Sequence, residues 1–289
     1  MANYRKYNAK LTSLRNMQRV TKTMKMVAAT RLNHAQEARR KAKTYMTKLD
    51  KLVENLATTG VEVSHPLMRS RPVPRSVLVL LITSDRGLCG GFNHHLNKYV
   101  ARWLDQKRPG YRRIRMSFCG KDGYHFFKDQ VEVRDYFEGI TADPSFTGAL
   151  TIGAQLVRAF LAARYDQIYL AYNTFRSPLL QEPKLELLLP MGRGHVETRA
   201  PSAQTAYLFE PAGSEMLGLL LQKTVYFRIF NALLENAAGE HGARMTAMDR
   251  ATTNIDSLCE TYTMLRNQAR QSAITTELVE IISGAEALK

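Results

Sequence analysis

The sequence predicts an α/β protein. Long N- and C-terminal helices pair as an antiparallel coiled coil, and a central Rossmann-like, mostly parallel α/β domain lies between them in sequence. Three observations carry this reading. Residues 1 to 59 contain neither Gly nor Pro, residues 214 to 289 contain no Pro, and the stretch from Arg75 to Pro201 alternates β-rich with helix-rich runs. The chain divides accordingly into a coiled-coil helix over 1–59, an α/β domain over 75–205 and a second coiled-coil helix over 210–289.

The first helix ends where the breakers begin, at Gly60, Pro66, Pro72 and Pro74. Its seam is a lane of one residue in seven: Tyr7, Leu14, Thr21, Ala28, Ala35, Ala42, Leu49 and Leu56. A second lane holds Tyr4, Leu11, Leu32, Met46 and Val53. Gln18, Lys25 and Arg39 interrupt that second lane, while Met17, Val20, Met24 and Val27 form an offset apolar stripe. A helix with a seam and a stripe is expected to touch more than one neighbour.

The far end of the chain answers it. Met245, Met248, Thr252, Ile255, Cys259 and Tyr262 alternate three and four apart, followed by Leu265, Ala269 and Ala273. At about 1.5 Å per residue the two helices would run on the order of 85 and 100 Å, too long for the inside of a domain this size, so they are expected to pair with each other and project from the middle domain. Gly239 and Gly242 interrupt the second helix, at about 1 kcal/mol each against Ala, which suits close packing or a kink. In the middle, strands are predicted at 77–83, 113–119, 131–136, 167–175 and 185–190, and helices near 92–107, 121–129 and 147–164. Asp143, Pro144 and Ser145 mark a helix start, and 173–178 a strand exit.

Composition bounds the function. Of the formal net charge of +15, residues 1 to 59 supply most: fourteen Lys or Arg against Glu37, Asp50 and Glu54, a balance of +11. Such a helix suits nucleic acid, anionic lipid, organelle import or an acidic protein partner. The three cysteines, Cys89, Cys119 and Cys259, are far apart and lack CxxC spacing, so neither a disulfide framework nor a zinc knuckle is indicated. No apolar run approaches the roughly 18 residues of a bilayer span.

The run "VLVLLITSDRGLCGGFN" (77–93) leads a strand through glycines into a helix, the placement of a phosphate-binding loop. The specific tests fail. A phosphate loop of the GxxxxGK[ST] type requires a Lys and a hydroxyl, and after Gly87, Gly90 and Gly91 come Phe92, Asn93 and His94. GxGxxG and GxSxG do not fit either, and no metal-like spacing joins His34, His65, His94, His95, His125, His195 and His241. The turn reads as a structural corner, and no catalytic, metal or cofactor-binding residue is expected.

The stretches "NMQRVTKTMKMVAATRLNHAQ" (16–36), "ITSDRGLCGGFN" (82–93), "YLFEP" (207–211), "EHGARMTAMDRAT" (240–252) and "ARQSAITTELVEIISGAEAL" (269–288) closely resemble the gamma subunit of F-type ATP synthases, in order and from end to end. The resemblance implies a non-catalytic central rotor shaft standing in a ring of alpha and beta subunits, with the α/β domain at its foot and nucleotide chemistry in the beta subunits. It implies as partners the alpha, beta and epsilon subunits and the c-subunit ring, no cofactor, no nucleic acid, and membrane contact only through the c-ring. The family's lower contact with an acidic beta-subunit loop falls on Lys22, Met24 and Lys25, its upper contact on Arg270, Gln271, Thr275 and Glu277, and its c-ring contact on Tyr207 and Glu210. Thiol regulation is not expected, because the cysteine-bearing insert of plant thylakoid members has no counterpart here.

Residues 16–36 belong to the implied shaft and leave about 15 residues ahead of it. The expectation is a bacterial protein without a presequence, at the cytoplasmic face of the inner membrane. The charge of residues 1–59 leaves open a basic coiled-coil nucleic-acid-binding protein, and the middle domain an α/β enzyme with helical arms.

Overall fold

A computed structural model describes residues 2–58, 65–191 and 213–286. The chain forms two compact units, one of residues 29–243 and one of residues 1–28 with 244–289. Its elements run α1 (Ala2–Thr58), β1 (Ser76–Ile82), α2 (Phe92–Lys107), β2 (Arg113–Cys119), α3 (Lys121–Phe127), β3 (Glu132–Phe137), α4 (Phe146–Leu161), β4 (Gln167–Ser177), β5 (Leu180–Leu189) and α5 (Gly213–Glu286). The terminal helices are unbroken over 57 and 74 residues; α1 has no Gly or Pro inside it, and α5 runs on through its internal glycines.

In the unit of residues 29–243 the sheet order is β3-β2-β1-β4-β5. The first three pairings are parallel and β4–β5 is antiparallel. The central strand β1 is apolar at nearly every position because both its faces are buried. Leu78, Leu80 and Ile82 face a core shared with α4 and α5, where Ile152, Leu156, Val225 and Ile229 lie. Val77, Val79 and Leu81 face a second core, with Leu96, Val100, Met116 and Phe118 from α2 and β2. Ser145 caps α4 by accepting from the Gly148 N–H at 3.1 Å, which bears out the predicted helix start.

Several boundaries differ from the sequence reading, most of all at the end of the sheet and at the end of α4. The strand exit predicted at 173–178 is a hairpin: β4 continues to Ser177 and β5 starts at Leu180, five residues earlier than the predicted 185. Pro183 lies inside β5 and is tolerated because β5 is an edge strand, where a missing N–H faces no partner. The helix predicted to 164 stops at Leu161, and Ala163 takes a positive φ of 56° as the chain turns toward β4.

Asp166 fastens the start of the sheet. Its carboxylate accepts the backbone N–H groups of Arg75 (2.7 Å) and Ser76 (2.8 Å) and pairs with Arg71. Burial alone would push this carboxyl up, but the two N–H groups and the guanidinium outweigh it and hold it below the usual carboxylate value.

In the unit of residues 1–28 and 244–289, α1 and α5 meet antiparallel through the predicted lanes. Leu11, Leu14 and Thr21 of α1 and Met248, Thr252 and Ile255 of α5 are buried, Thr21 meets Thr252, and the Tyr7 and Tyr262 rings lie 6.2 Å apart. The offset stripe stays open to solvent at Met17, Val20 and Val27, each at least half exposed.

Asp166→Ala should lower stability at neutral pH by about 2 kcal/mol, since it strands two strand-entry N–H groups and an arginine. A lowered folded-state pKa gives stability that is complete above the ordinary carboxylate range and lost as pH falls through the depressed value. The gap between variant and parent, read by denaturant melts, should therefore close as the solution is acidified.

Candidate functional site

The glycine turn lies where the sheet offers a ligand site. In a parallel sheet the crevice forms at the carboxyl ends of strands whose connections leave in opposite directions. Here β1 connects through α2 to β2 on one side and is flanked by β4 on the other, so the crevice opens between β1 and β4. Their pairing stops at Leu81 with Ala171.

Beyond that point the chain's own groups fill the opening. Asn93 of α2 accepts the Ser84 N–H at 3.1 Å through Oδ1 and donates to the Ser84 hydroxyl at 2.7 Å. Thr83 accepts the Gly123 N–H through Oγ1 at 2.9 Å and the Asn236 amide through its carbonyl at 3.3 Å. Asp85 accepts from the Lys121 N–H at 3.1 Å and the Thr141 hydroxyl at 2.7 Å, tying the turn to α3 and to the loop before α4. Asn173 donates to the Phe92 carbonyl at 3.0 Å, and the Phe175 N–H is accepted by Glu235 at 2.8 Å. Gly120 cannot be replaced freely: its φ is +99°, and a Cβ there would stand 2.3 Å from the Thr83 carbonyl oxygen.

Helix α5 closes the crevice with a face of two glycines and two polar side chains. Glu235, Gly239 and Gly242 follow at spacings of four and three, which places them on one stripe, and Asn236 stands beside it three residues before Gly239. A Cβ on Gly239 would come within 2.7 Å of the Phe92 ring, and one on Gly242 within 3.1 Å of both Phe175 and Pro178. Of the two roles the sequence allowed these glycines, close packing is the one observed. Cys89 and Cys119 are buried, and burial pushes the Cys119 thiol well up.

The three residues that interrupt the α1 lane each meet a carboxylate of α5. Gln18 pairs with Asp256, Lys25 with Asp249 at 2.6 Å, and Arg39 with Glu235. Seven residues along α1 from Gln18 to Lys25 move the partner seven residues back along α5, and the further fourteen to Arg39 do the same. Between the first two pairs the Thr252 hydroxyl donates to Thr21 at 2.8 Å, both threonines being buried. These carboxylates were missed in the sequence reading. The signal was present, because Glu235, Asp249 and Asp256 repeat the heptad steps of the interrupters.

The candidate contact residues fall at two levels of the helix pair. Lys22 is exposed, Met24 is half-buried, and Lys25 is partly occupied by Asp249. Arg270, Gln271, Thr275 and Glu277 are all exposed, and the Thr275 hydroxyl donates to the Gln271 carbonyl at 3.0 Å. From Asp249, opposite Lys25, to Arg270 is about 30 Å of continuous helix, so the two groups do not form one site. Tyr207 and Glu210 lie outside the described residues. Among the described residues no cluster of His, Cys, Asp and Glu could hold a metal ion, and no helix is long and apolar enough to cross a membrane.

A sheet whose crevice is filled by a helix of the same chain, in a chain whose two long terminal helices pair antiparallel, defines a coiled-coil-bearing α/β protein. A family model described as ATP synthase matches residues 3–288. The ATP synthase gamma chain of Geobacter sp. (strain M21) is 40% identical over 289 residues, with both chains covered completely, and that of Anaeromyxobacter dehalogenans (strain 2CP-C) is 38% identical over 295 residues. The chain belongs to the gamma-subunit family of F-type ATP synthases. Its fold is also that of chains in solved assemblies. In the Euglena gracilis mitochondrial ATP synthase (OSCP/F1/c-ring) the match has a TM-score of 0.65 at 19% identity, covering 99% of this chain and 95% of that one. In the Tetrahymena thermophila mitochondrial ATP synthase central stalk/c-ring it has a TM-score of 0.58 at 24% identity, covering 80% and 99%.

Gly239→Leu should lower stability by about 1–3 kcal/mol despite leucine's better helix propensity, because the Phe92 ring leaves no room for it. Exposed Gly284, which meets no neighbour, is the control: Gly284→Ala should be neutral or slightly stabilising in the same thermal melts.

Proposed function

We propose that the chain is the central-stalk rotor of an F-type ATP synthase, coupling ion flow through the membrane ring to ATP synthesis or hydrolysis at the beta-subunit sites, and that it is itself non-catalytic. The observation that carries the reading is an unbroken helix pair that leaves apolar side chains uncovered. Met17, Val20 and Val27 are exposed at one level, and Ile274, Leu278, Val279, Ile281 and Ile282 at the other. Uncovered apolar surface of this extent calls for a surrounding partner. An asymmetric shaft turning inside a ring presents different faces to otherwise equivalent sites and shifts their affinities by differential contact.

On this reading the helices 1–59 and 210–289 form the shaft and 75–205 the foot. Lys22, Met24 and Lys25 meet an acidic beta-subunit loop, Arg270, Gln271, Thr275 and Glu277 meet the upper sleeve of the ring, and Tyr207 and Glu210 meet the c-ring. The partners are the alpha, beta and epsilon subunits and the c-ring. The chain reaches the membrane only through that ring, at the cytoplasmic face of the bacterial inner membrane. The filled crevice supports a non-catalytic role, since the turn that resembles a phosphate loop has its polar groups engaged by the fold.

The Lys25–Asp249 pair refines what a substitution at Lys25 does. Both side chains are about half exposed, at 45% and 56%, so the pair contributes at most about 1 kcal/mol and leaves the lysine able to turn outward to an acidic loop.

Affinity capture from cells expressing a tagged chain should recover alpha, beta and epsilon chains; recovery of nucleic acid without them would favour the basic nucleic-acid binder instead. Lys25→Glu should reduce ion pumping per ATP while assembly on native gels stays normal, whereas Asp249→Ala, which frees Lys25 without reversing its charge, should pump like the parent. Equal loss in both would assign the effect to the helix pair rather than to the loop contact. Truncation after Gly284 should leave ATPase nearly intact, and truncation before Arg270 should impair assembly, because it removes about five turns of the shaft.

A further inference from the structure

Glu235 is only 7% exposed, and its two carboxylate oxygens serve two different elements. Oε1 accepts from the Arg39 guanidinium of α1, and Oε2 accepts the backbone N–H of Phe175 on β4 at 2.8 Å. Phe175 lies past Ala171, where β1 no longer pairs with β4, so this N–H has no strand partner on that side and takes one from the helix. Arg39 completes the arrangement with its guanidinium carbon 5.5 Å from the centre of the Phe175 ring. One side chain thus joins α1, α5 and the sheet within the unit of residues 29–243.

We infer that Glu235 is a positioning residue for torque, the fastener that keeps the helix pair from slipping against the sheet under load. This rests on the rotor reading above. A twisting load on α1 and α5 tends to roll α5 in its crevice or to slide α1 along it. Apolar contacts re-form after a small slip, because they have no fixed partner. The Glu235 contacts do not, since a displacement leaves a buried carboxylate without its guanidinium and a backbone N–H without an acceptor, and such uncompensated groups are strongly unfavourable. The Asn236 amide, one residue on, holds the Thr83 carbonyl of β1 at 3.3 Å and opposes the same motion from the other wall of the crevice.

The test uses assembled complexes carrying Glu235→Gln, which keeps an oxygen for the Phe175 N–H but drops the charge facing Arg39, Glu235→Ala, which drops both, Arg39→Met and Arg39→Lys. Assembly is read on native gels, and ions pumped per ATP are read in vesicles against a rising opposing ion gradient. Pumping per ATP should be near normal at zero gradient and fall at least twofold below the parent as the gradient rises, most in Glu235→Ala, less in Glu235→Gln and Arg39→Met, and be restored in large part by Arg39→Lys. A merely structural role would reduce the amount of complex and leave the load dependence of each assembled complex unchanged. That outcome in Glu235→Gln and Arg39→Met overturns the inference, even where Glu235→Ala fails to assemble. Failure of the parent chain to assemble with alpha and beta subunits or to support pumping would instead overturn the rotor reading itself.

Discussion

The arrangement of residues 29–243 depends on one contact: the face of α5 from Glu235 to Gly242 lying in the crevice between the carboxyl ends of β1 and β4. Two glycines allow the helix to approach the Phe92 ring and the Phe175–Pro178 corner, and Glu235 and Asn236 supply the polar partners that the strand ends lack. Remove that face and Phe175, Thr83 and the turn after β1 lose their cover together. The same contact fills the crevice in which parallel α/β sheets commonly bind ligands, because this chain has placed its own helix there.

The helix pair follows a second constraint, complementarity at fixed steps. An apolar seam alone tolerates a shift of one heptad, because each layer meets another of similar shape. Gln18, Lys25 and Arg39 remove that freedom, since a shift would set each against a residue other than its carboxylate. Their energies differ with exposure. Lys25 with Asp249 is half in water and contributes little, whereas Glu235 is buried and its loss would leave charge without a partner. Part of the basic charge of α1 is therefore answered inside the chain.

Much of this was legible in the residues. Both terminal helices, the order of strands and helices, and the cap at Ser145 follow from breakers, periods and turn chemistry. The hairpin from Ser177 to Leu180 was not, because Pro183 looks like a strand breaker until the strand is known to be an edge. The carboxylates were not either, although the lane interrupters announced that something polar must face them. A sequence shows that Arg39 breaks a seam, but only the register of two helices some two hundred positions apart shows that Glu235 is opposite it. The filling of the crevice was equally out of reach, since it depends on a helix at the far end of the chain. The glycine turn could be recognised as a poor phosphate loop by its missing Lys, but what occupies its place could not be read there.

The central claim is that this chain turns while the ring around it hydrolyses ATP. Its most direct measurement fixes an assembled complex of alpha, beta and this chain to a surface through the ring and attaches an optical marker to the α/β domain. The account predicts unidirectional rotation of the marker on adding ATP, in three steps per turn, one for each beta site. ATP turnover with the marker stationary would contradict it.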